Sequence, residues 1–434
     1  MGRCGVPGDA RSATAERIPR PFALRFADDG ERYAHYARMR RENPVDEDPE
    51  SGFWSVYRYA DVQQVLSTPQ VFSSNRIFQR PAEGEDGEPG APAVPRAGGP
   101  PDARRRAAGS LLADTLLAAD PPRHSKLRAL VSRAFTPRAV AALEPTIASL
   151  TEEMLDRVAG QGRMDVMADL AGPLPVTVIA QLLGVPLADR ERFKRWSDDL
   201  VGSSDAAAGG DFEVRRQAQE ALADYFRSVV AEKRRHPADD LISALLDAQV
   251  GGEALTEPEL LGFCALLLVA GHETTTNLIG NGFLCLLQHP AEWVRLRGDP
   301  SLAASAIEEM LRYSSPVQAI VRRTVQEVRL ADRVLPVGAP VVPWIGSANR
   351  DEAAFPDPER FDVGRTPNRQ IAFGYGIHFC LGAPLARLEG QVVLRAMVQR
   401  LQDAELDEAD ALQWSPGFIR GLRRLPVRFQ PAAR

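Results

Sequence analysis

The chain has 434 residues, of which 44% are hydrophobic and 25% charged, as in globular proteins with a large core. Lys and Arg total 52 against 58 Asp and Glu, and a net charge of -6 argues against a general nucleic-acid-binding protein. Four scattered cysteines cannot form a disulfide framework, which favours a reducing, cytoplasmic setting.

The N-terminal region alternates between polar segments and a short structured stretch. Residues 1–22 lack the apolar run of a signal peptide and are predicted to be a flexible arm. Residues 52–72 alternate like a strand and then follow a helical pattern. Residues 81–101 contain six prolines and five glycines with few apolar groups, so a mobile surface loop is expected, and its role as a lid is left open.

From about residue 121 to 317 the chain has the pattern of consecutive helices, with apolar residues repeating every 3.6 positions. The most apolar stretch, 263–271, is about half the length of a membrane span. Short β-type runs follow Pro316 and recur near the C-terminus. The clearest predicted helices are 144–159, 213–235, 258–288 and 384–401. The predicted fold is one mainly α domain with small β-sheets, over residues 23–434.

Residues 373–382, FGYGIHFCLG, precede the last predicted helix and are called the cysteine loop below. The N-terminus of a helix favours negative charge, so the pKa of the Cys380 thiol is expected to be lowered. Glycines allow the sharp turns of such a loop, and aromatic rings could shield the sulfur from water. These residues are Phe373, Gly374, Gly376, Phe379 and Gly382.

Residue chemistry alone leaves Cys380 open between a metal ligand, a nucleophile and an inert core cysteine. A zinc site with His378 lacks a second Cys/His pair. A cysteine hydrolase could use His378 as its base, but no such signature surrounds the thiol. A shielded thiolate bound to haem iron is another chemistry that this loop would suit.

Two motifs in helical segments carry polar groups at defined spacings. In EEMLR, Glu309 and Arg312 are three residues apart and can pair on one helix face, although such pairs are commonly solvated. AGHETT, residues 270–275, is not a zinc-protease HExxH motif because the second histidine is missing. Its Thr274 could bend the helix by bonding the carbonyl four residues back, or it could serve a buried site.

Residues 373–387, FGYGIHFCLGAPLAR, resemble the haem-binding signature of the cytochrome P-450 family, and similarity to its soluble bacterial branch spans roughly residues 50–430. The resemblance implies haem b, with Cys380 as the proximal thiolate ligand. Tyr375 departs from the histidine that the family often has there. The further haem contacts that the resemblance implies are His124, Arg128, Gly271, Arg322, Phe373, Gly374, His378 and Gly382.

By the same resemblance, AGHETT crosses the distal face of the haem, where Gly271 would leave room for O₂ and substrate. Thr274 would hydrogen-bond at the oxygen-binding face, and Glu273 would relay protons from solvent. His272 would face away from the pocket.

The resemblance also assigns structural and substrate-binding residues. Glu309 and Arg312 would form a buried pair that locks to the segment AFPDPERF through Arg360. The substrate contacts that it implies are Gln318, Ala319, Ile320, Phe418 and Ile419.

The activity implied is that of a soluble monooxygenase, which hydroxylates or epoxidises an apolar small molecule such as a terpenoid, steroid, fatty acid or macrolide. No flavin or iron–sulfur region follows the core, so a separate ferredoxin and ferredoxin reductase are expected to supply electrons. A monomer without nucleic-acid or membrane partners is expected. Two alternatives stay open: peroxide-driven oxidation, decarboxylation or C–C coupling on the same scaffold, and a non-catalytic haem sensor.

Overall fold

The computed structural model describes residues 26, 29–75, 111–112, 114–202, 212–407, 412–415 and 417–431. The predicted arm at 1–22 and the predicted loop at 81–101 lie outside the described residues.

Helices make up most of the described chain, and the predicted helices are confirmed to within one residue at each end. Short 3-10 turns and one π-helical turn connect several of them. The α-helices are α1 (Asp29–Glu42), α2 (Tyr59–Ser67), α3 (Arg123–Ala134), α4 (Pro137–Ala141), α5 (Glu144–Ala159), α6 (Pro173–Leu182), α7 (Arg190–Gly202), α8 (Phe212–Arg235), α9 (Leu241–Asp247), α10 (Glu257–Gln288), α11 (Pro290–Gly298), α12 (Ala303–Tyr313), α13 (Ile345–Ala348) and α14 (Ala383–Arg400).

The 32-residue helix α10 crosses the main core and packs against α6, α12 and α14. Thr256 and Glu259 form a capping box at its start, with the Thr256 backbone N–H donating to the Glu259 carboxylate at 2.9 Å. The helix ends at Gln288, and Pro290 disfavours helical backbone at the intervening His289. AGHETT therefore lies in the middle of the helix, with protein packed on several sides.

Short strands form a small five-stranded sheet, a three-stranded sheet and two hairpins. In the five-stranded sheet the order is β1-β2-β8-β5-β3, and only β2 and β8 are parallel. The strands are β1 (Val45–Glu47), β2 (Trp54–Val56), β3 (Phe72–Ser73), β4 (Arg163–Asp165), β5 (Arg322–Thr324), β6 (Val328–Leu330), β7 (Arg333–Leu335), β8 (Pro340–Pro343), β9 (Leu401–Leu406), β10 (Gln413–Trp414), β11 (Leu422–Arg424) and β12 (Pro426–Pro431).

Burial of apolar side chains holds these layers together. The helices enclose one large core, and a second core lies between α2 and the five-stranded sheet. A third cluster, built from Tyr33, Tyr36, Tyr57 and Trp344 among others, fixes α1 to the same sheet. Among the described helices, none combines the length and apolar character needed to cross a bilayer.

Candidate active site around Cys380

The cysteine loop folds back on itself directly before α14. Its closing hydrogen bond runs from the Cys380 backbone N–H to the Phe373 carbonyl, at 2.9 Å. Gly374 and Gly376 have φ values of 75° and 71°, which glycine adopts without a steric penalty. At Gly376 a side chain would also approach the Leu66 carbonyl oxygen to 2.8 Å. Glycine is therefore required at residue 376 by both conformation and space.

Burial raises the pKa of the Cys380 thiol above its ordinary value. Hydrogen bonds from the backbone N–H groups of Gly382 and Ala383, and the positive charges of Arg128 and Arg387, act in the opposite direction. The lowered pKa predicted from the helix N-terminus is wrong for the free thiol, because desolvation of the thiolate outweighs these donors. The same donors would stabilise a thiolate whose charge is shared with a metal ion.

The two phenylalanines of the cysteine loop differ in their surroundings. Phe373 packs against the main core, and the Arg387 guanidinium lies 4.6 Å from its ring centroid. Phe379 is 39% exposed and Tyr375 is 42% exposed. Phe379 is therefore exposed in part, and its shielding of the sulfur stays a prediction.

Four of the predicted haem contacts converge beside the loop. The ring centroids of His124 and His378 are 4.3 Å apart. Both ring nitrogens of His124 are buried, and neither makes a hydrogen bond with the described residues. Arg322 is 5% exposed and donates to the carbonyl of the adjacent Val321 at 2.8 Å. Arg128 donates to a carbonyl of the cysteine loop at 2.8 Å.

The proximity of these groups shifts their pKa values. Burial, followed by the charges of Arg322, His124 and Arg128, lowers the pKa of His378 to about 3. Burial also lowers the pKa of Arg322 to about 10. Neither Arg128 nor Arg322 forms an ion pair with a carboxylate in the described part of the chain. One buried and one partly exposed arginine, beside an imidazole without hydrogen-bond partners, fit an anionic ligand that carries carboxylates.

Sequence reasoning missed two residues that hold this cluster. The Ser74 hydroxyl lies 3.0 Å from His378 Nε2, and the Ser74 backbone N–H donates to Asp120 Oδ1 at 2.9 Å. Asp120 belongs to the DPP segment before α3, so its position offered a weak signal. Ser74 had none, because 304 residues separate it from His378.

On α10, Thr274 adopts the arrangement that bends helices. Its hydroxyl donates to the Ala270 carbonyl four residues back, at 2.6 Å. Ala270 is exposed and Thr274 is partly exposed. Residues four apart share a helix face, so this face of α10 is not covered by packed protein. Glu273 is also partly exposed.

Gly271 is partly exposed and packs on one side against α6. An added Cβ at residue 271 would approach Ile179 Cδ1 on α6 to 2.5 Å. The absent side chain lets α6 and α10 pack closely at this point, and the role of Gly271 in leaving room for ligands stays a prediction. His272 is 4% exposed and its Nδ1 lies 2.9 Å from Ser197 Oγ on α7, so it turns away from the Ala270 and Thr274 face.

The pair of Glu309 and Arg312 is fully buried, with both side chains 0% exposed. Arg312 donates twice to the Glu309 carboxylate, at 2.7 and 2.8 Å. Its remaining donors reach the carbonyls of Asn349, Pro358 and Arg360. The pair is therefore fully satisfied by hydrogen bonds, which is the condition for a buried ion pair to be tolerated.

The predicted link through Arg360 is made by its backbone and not by its side chain. Its side chain is 63% exposed and lies 3.5 Å from Asp362, and only its backbone carbonyl receives Arg312. Arg365 takes the predicted place, with Nε 3.1 Å from Glu309 Oε1 and a side chain that is 10% exposed. No spacing in the sequence marked Arg365, because it reaches Glu309 from a segment without regular structure.

Two of the residues predicted to contact the substrate have side chains that point into the core beneath α1. Gln318 is 1% exposed, accepts from the Tyr36 hydroxyl at 3.2 Å and donates to the Ser315 carbonyl at 2.7 Å. Ala319 is 2% exposed and packs in the aromatic cluster under α1. The prediction that these two side chains contact substrate is therefore wrong. Ile320, Phe418 and Ile419 are partly exposed.

Residues 104–299 and 300–419 match the family model described as Cytochrome P450. The chain belongs to the cytochrome P450 family. It is 42% identical over 400 residues to Cytochrome P450 109 from Bacillus spizizenii, covering 91% of this chain and 90% of that protein. It is 41% identical over 396 residues to the cyclomarin C epoxidase CymV from Salinispora arenicola, with 90% and 94% covered.

The solved structure of CYP109E1 from Bacillus megaterium in complex with testosterone has a TM-score of 0.78 and 40% identity, and covers 92% of this chain and 99% of that chain. The mainly α cytochrome P450 fold predicted from the sequence is thus confirmed. The chain is a haem-dependent P450 monooxygenase that acts on small molecules, and the alternative of a non-catalytic sensor is excluded. The unpartnered nitrogens of His124, the buried Arg322 and the donors around Cys380 fit haem.

Proposed function

We propose that this cytochrome P450 uses O₂ and two electrons to hydroxylate or epoxidise an apolar small molecule, with Cys380 as the haem ligand. The observation that carries the proposal is the placement of one thiol, with two backbone N–H donors, beside the His124 and Arg322 cluster. Thiolate-ligated haem supplies the oxygen-activating chemistry at such a site.

The basic cluster would bind the two carboxylates of the cofactor. Arg128 and Arg322 stay charged across the physiological range, and a guanidinium can donate to both oxygens of one carboxylate. His124 has two nitrogens without partners in the described chain, and His378 lies against it. The backbone of the cysteine loop at Phe373, Gly374 and Gly382 would then lie along the same cofactor.

Glu273 and Thr274 are proposed to deliver protons. The Thr274 hydroxyl donates to the Ala270 carbonyl, and its lone pairs remain able to accept a proton-bearing water or ligand. Glu273 directly precedes Thr274 on the helix. The residue is partly exposed while its Oε2 is buried, so we propose that its carboxylate relays protons between solvent and the site.

We propose a steroid as the first substrate class to test, since a relative binds testosterone and the pocket residues proposed here are apolar. Ile320, Phe418 and Ile419 would supply those contacts. Electrons would come from a separate ferredoxin and its reductase.

The carbon monoxide difference spectrum of the reduced protein tests the ligand. The wild type is expected to show the Soret band of thiolate-ligated haem, and Cys380→His is expected to move it to the position of histidine-ligated haem. A histidine-type band in the wild type would refute Cys380 as the ligand.

The proton-delivery role is tested by Thr274→Ala with Thr274→Ser as its control. We expect the alanine variant to consume reductant while releasing hydrogen peroxide in place of product, and the serine variant to behave like the wild type because it keeps the hydroxyl. Turnover with hydrogen peroxide alone, and none with reductant and ferredoxin, would favour the peroxide-driven alternative.

A further inference from the structure

Residues 417–421 form a turn before β11, called the C-terminal turn below. Backbone hydrogen bonds join this turn to the segment 316–318. The Gln318 backbone N–H donates to the Phe418 carbonyl at 2.7 Å, and the Arg420 backbone N–H donates to the Pro316 carbonyl at 2.7 Å. These backbone hydrogen bonds hold the two segments together, and Phe418 and its neighbours lie in this joined pair of segments.

The same turn is packed directly on α10. Asn281 Nδ2 donates to the Arg420 carbonyl at 3.0 Å. An added Cβ at Gly421 would overlap the side-chain oxygen of Asn277, so the turn backbone touches the helix there. Asn277 follows Thr274 by three residues, about 4.5 Å along a helix axis. The position of the turn is thus tied to the helix face that carries Thr274.

A buried charge fixes the outer side of the turn to α1. Arg420 is 5% exposed on its side chain, and its Nε donates to Asp29 Oδ1 at 2.9 Å. The guanidinium lies 4.1 Å from the ring centroid of Trp414. A second link from α1 runs through the Tyr36 hydroxyl to Gln318, at 3.2 Å.

We propose that Arg420, held by Asp29, is a specificity-determining positioning residue that sets where Phe418 and Ile419 meet the substrate. The inference rests on the proposed function of those two residues as substrate contacts. Arg420 contacts α1, the segment around Pro316 and α10. Loss of its charged partner on α1 would remove one of these contacts and leave the other two in place. Both segments keep their backbone bonds, and the haem contacts are elsewhere.

A nearly buried guanidinium that loses its carboxylate partner is an unpaired charge in the protein interior, which is unfavourable, so it would not stay in its position. After Asp29→Asn it would turn toward water and draw the turn away from α10. The expected consequence is a displaced pocket wall with an intact cofactor site. A substitution that merely weakened α1 would lower stability and leave ligand preference unchanged.

The experiment compares two azoles that bind haem iron and shift its spectrum. Imidazole reports access to the iron alone, whereas clotrimazole also presses three aromatic rings on the pocket walls. For Asp29→Asn we expect clotrimazole affinity to fall about fivefold or more and imidazole affinity to stay within about twofold. Arg420→Lys, which keeps the charge but loses the Nε bond, is expected to show the same selective loss.

Two controls separate positioning from general damage. Glu42→Gln removes a charge from the exposed end of the same helix α1 and should leave both affinities unchanged. Asp29→Glu keeps the carboxylate and should restore clotrimazole binding. Equal losses for both azoles, or no loss for either in a folded variant, would overturn the proposal. A wild-type carbon monoxide spectrum without the thiolate band would instead count against the proposed function.

Discussion

At the scale of single residues, burial and hydrogen bonding distinguish structural ion pairs from surface ion pairs. The exposed pair Glu213 and Arg216 has the same i, i+3 spacing as Glu309 and Arg312, but its side chains are 53% and 45% exposed. Spacing alone could not distinguish the two pairs. Burial does, because a desolvated carboxylate needs a donor for each lone pair, and Glu309 also accepts from Arg365.

Arg365→Ala is expected to lower the free energy of unfolding by about 2–4 kcal/mol, since Glu309 keeps Arg312 but loses a buried charged donor. Arg360→Ala should change it by less than about 0.5 kcal/mol, because the exposed side chain makes only a long surface ion pair with Asp362. Urea unfolding of both variants measures the difference. Equal destabilisation would contradict the assignment to Arg365.

At the scale of secondary-structure elements, the contact between α6 and α10 explains a glycine that the sequence motif leaves ambiguous. Gly271 lies where Ile179 presses on α10, and Ile179 is 2% exposed. Close approach of two helices requires a small residue at their contact. The neighbouring Ala270 is exposed, so the close contact with α6 is confined to a small part of this turn.

Gly271→Ala is expected to destabilise the fold by about 1–3 kcal/mol through overpacking against Ile179. Ile179→Val removes the Cδ1 atom that the new methyl group would meet, so the double variant should recover part of that loss. Thermal unfolding of the two single variants and the double variant gives the coupling energy. Additive effects would show that the two residues do not meet.

At the scale of the whole molecule, one buried acid makes stability depend on pH. Glu389 on α14 is 1% exposed, and its Oε2 has no hydrogen-bond partner among the described residues. Burial raises its pKa from 4.5 to about 8. The folded state therefore holds a proton that the unfolded state has released between these two values, and stability falls as pH rises through that window.

Glu389→Gln should remove this contribution. The variant is expected to gain stability relative to the wild type as pH rises from about 5 to 8, by an amount on the order of 3–5 kcal/mol, and to gain nothing further above that range. Urea midpoints across the pH series measure it. Glu405→Gln, at an exposed residue of β9, is the control and should leave the wild-type pH dependence unchanged. A constant difference between wild type and Glu389→Gln would rule out ionisation of Glu389 as the cause.

The family, the mainly α fold and the long helices followed from the sequence by itself, because helical periodicity and the cysteine loop are local patterns. The convergence of His124, Arg322 and His378 was also expected, but from family resemblance and not from spacing.

Only the tertiary structure decided which arginine meets Glu309, that Gly271 meets Ile179 of α6, and that Gln318 and Ala319 turn toward α1. Each of these depends on packing between segments that are far apart in the chain. A local pattern specifies that a charge or a glycine is present, whereas burial and the neighbour across the contact determine what it does.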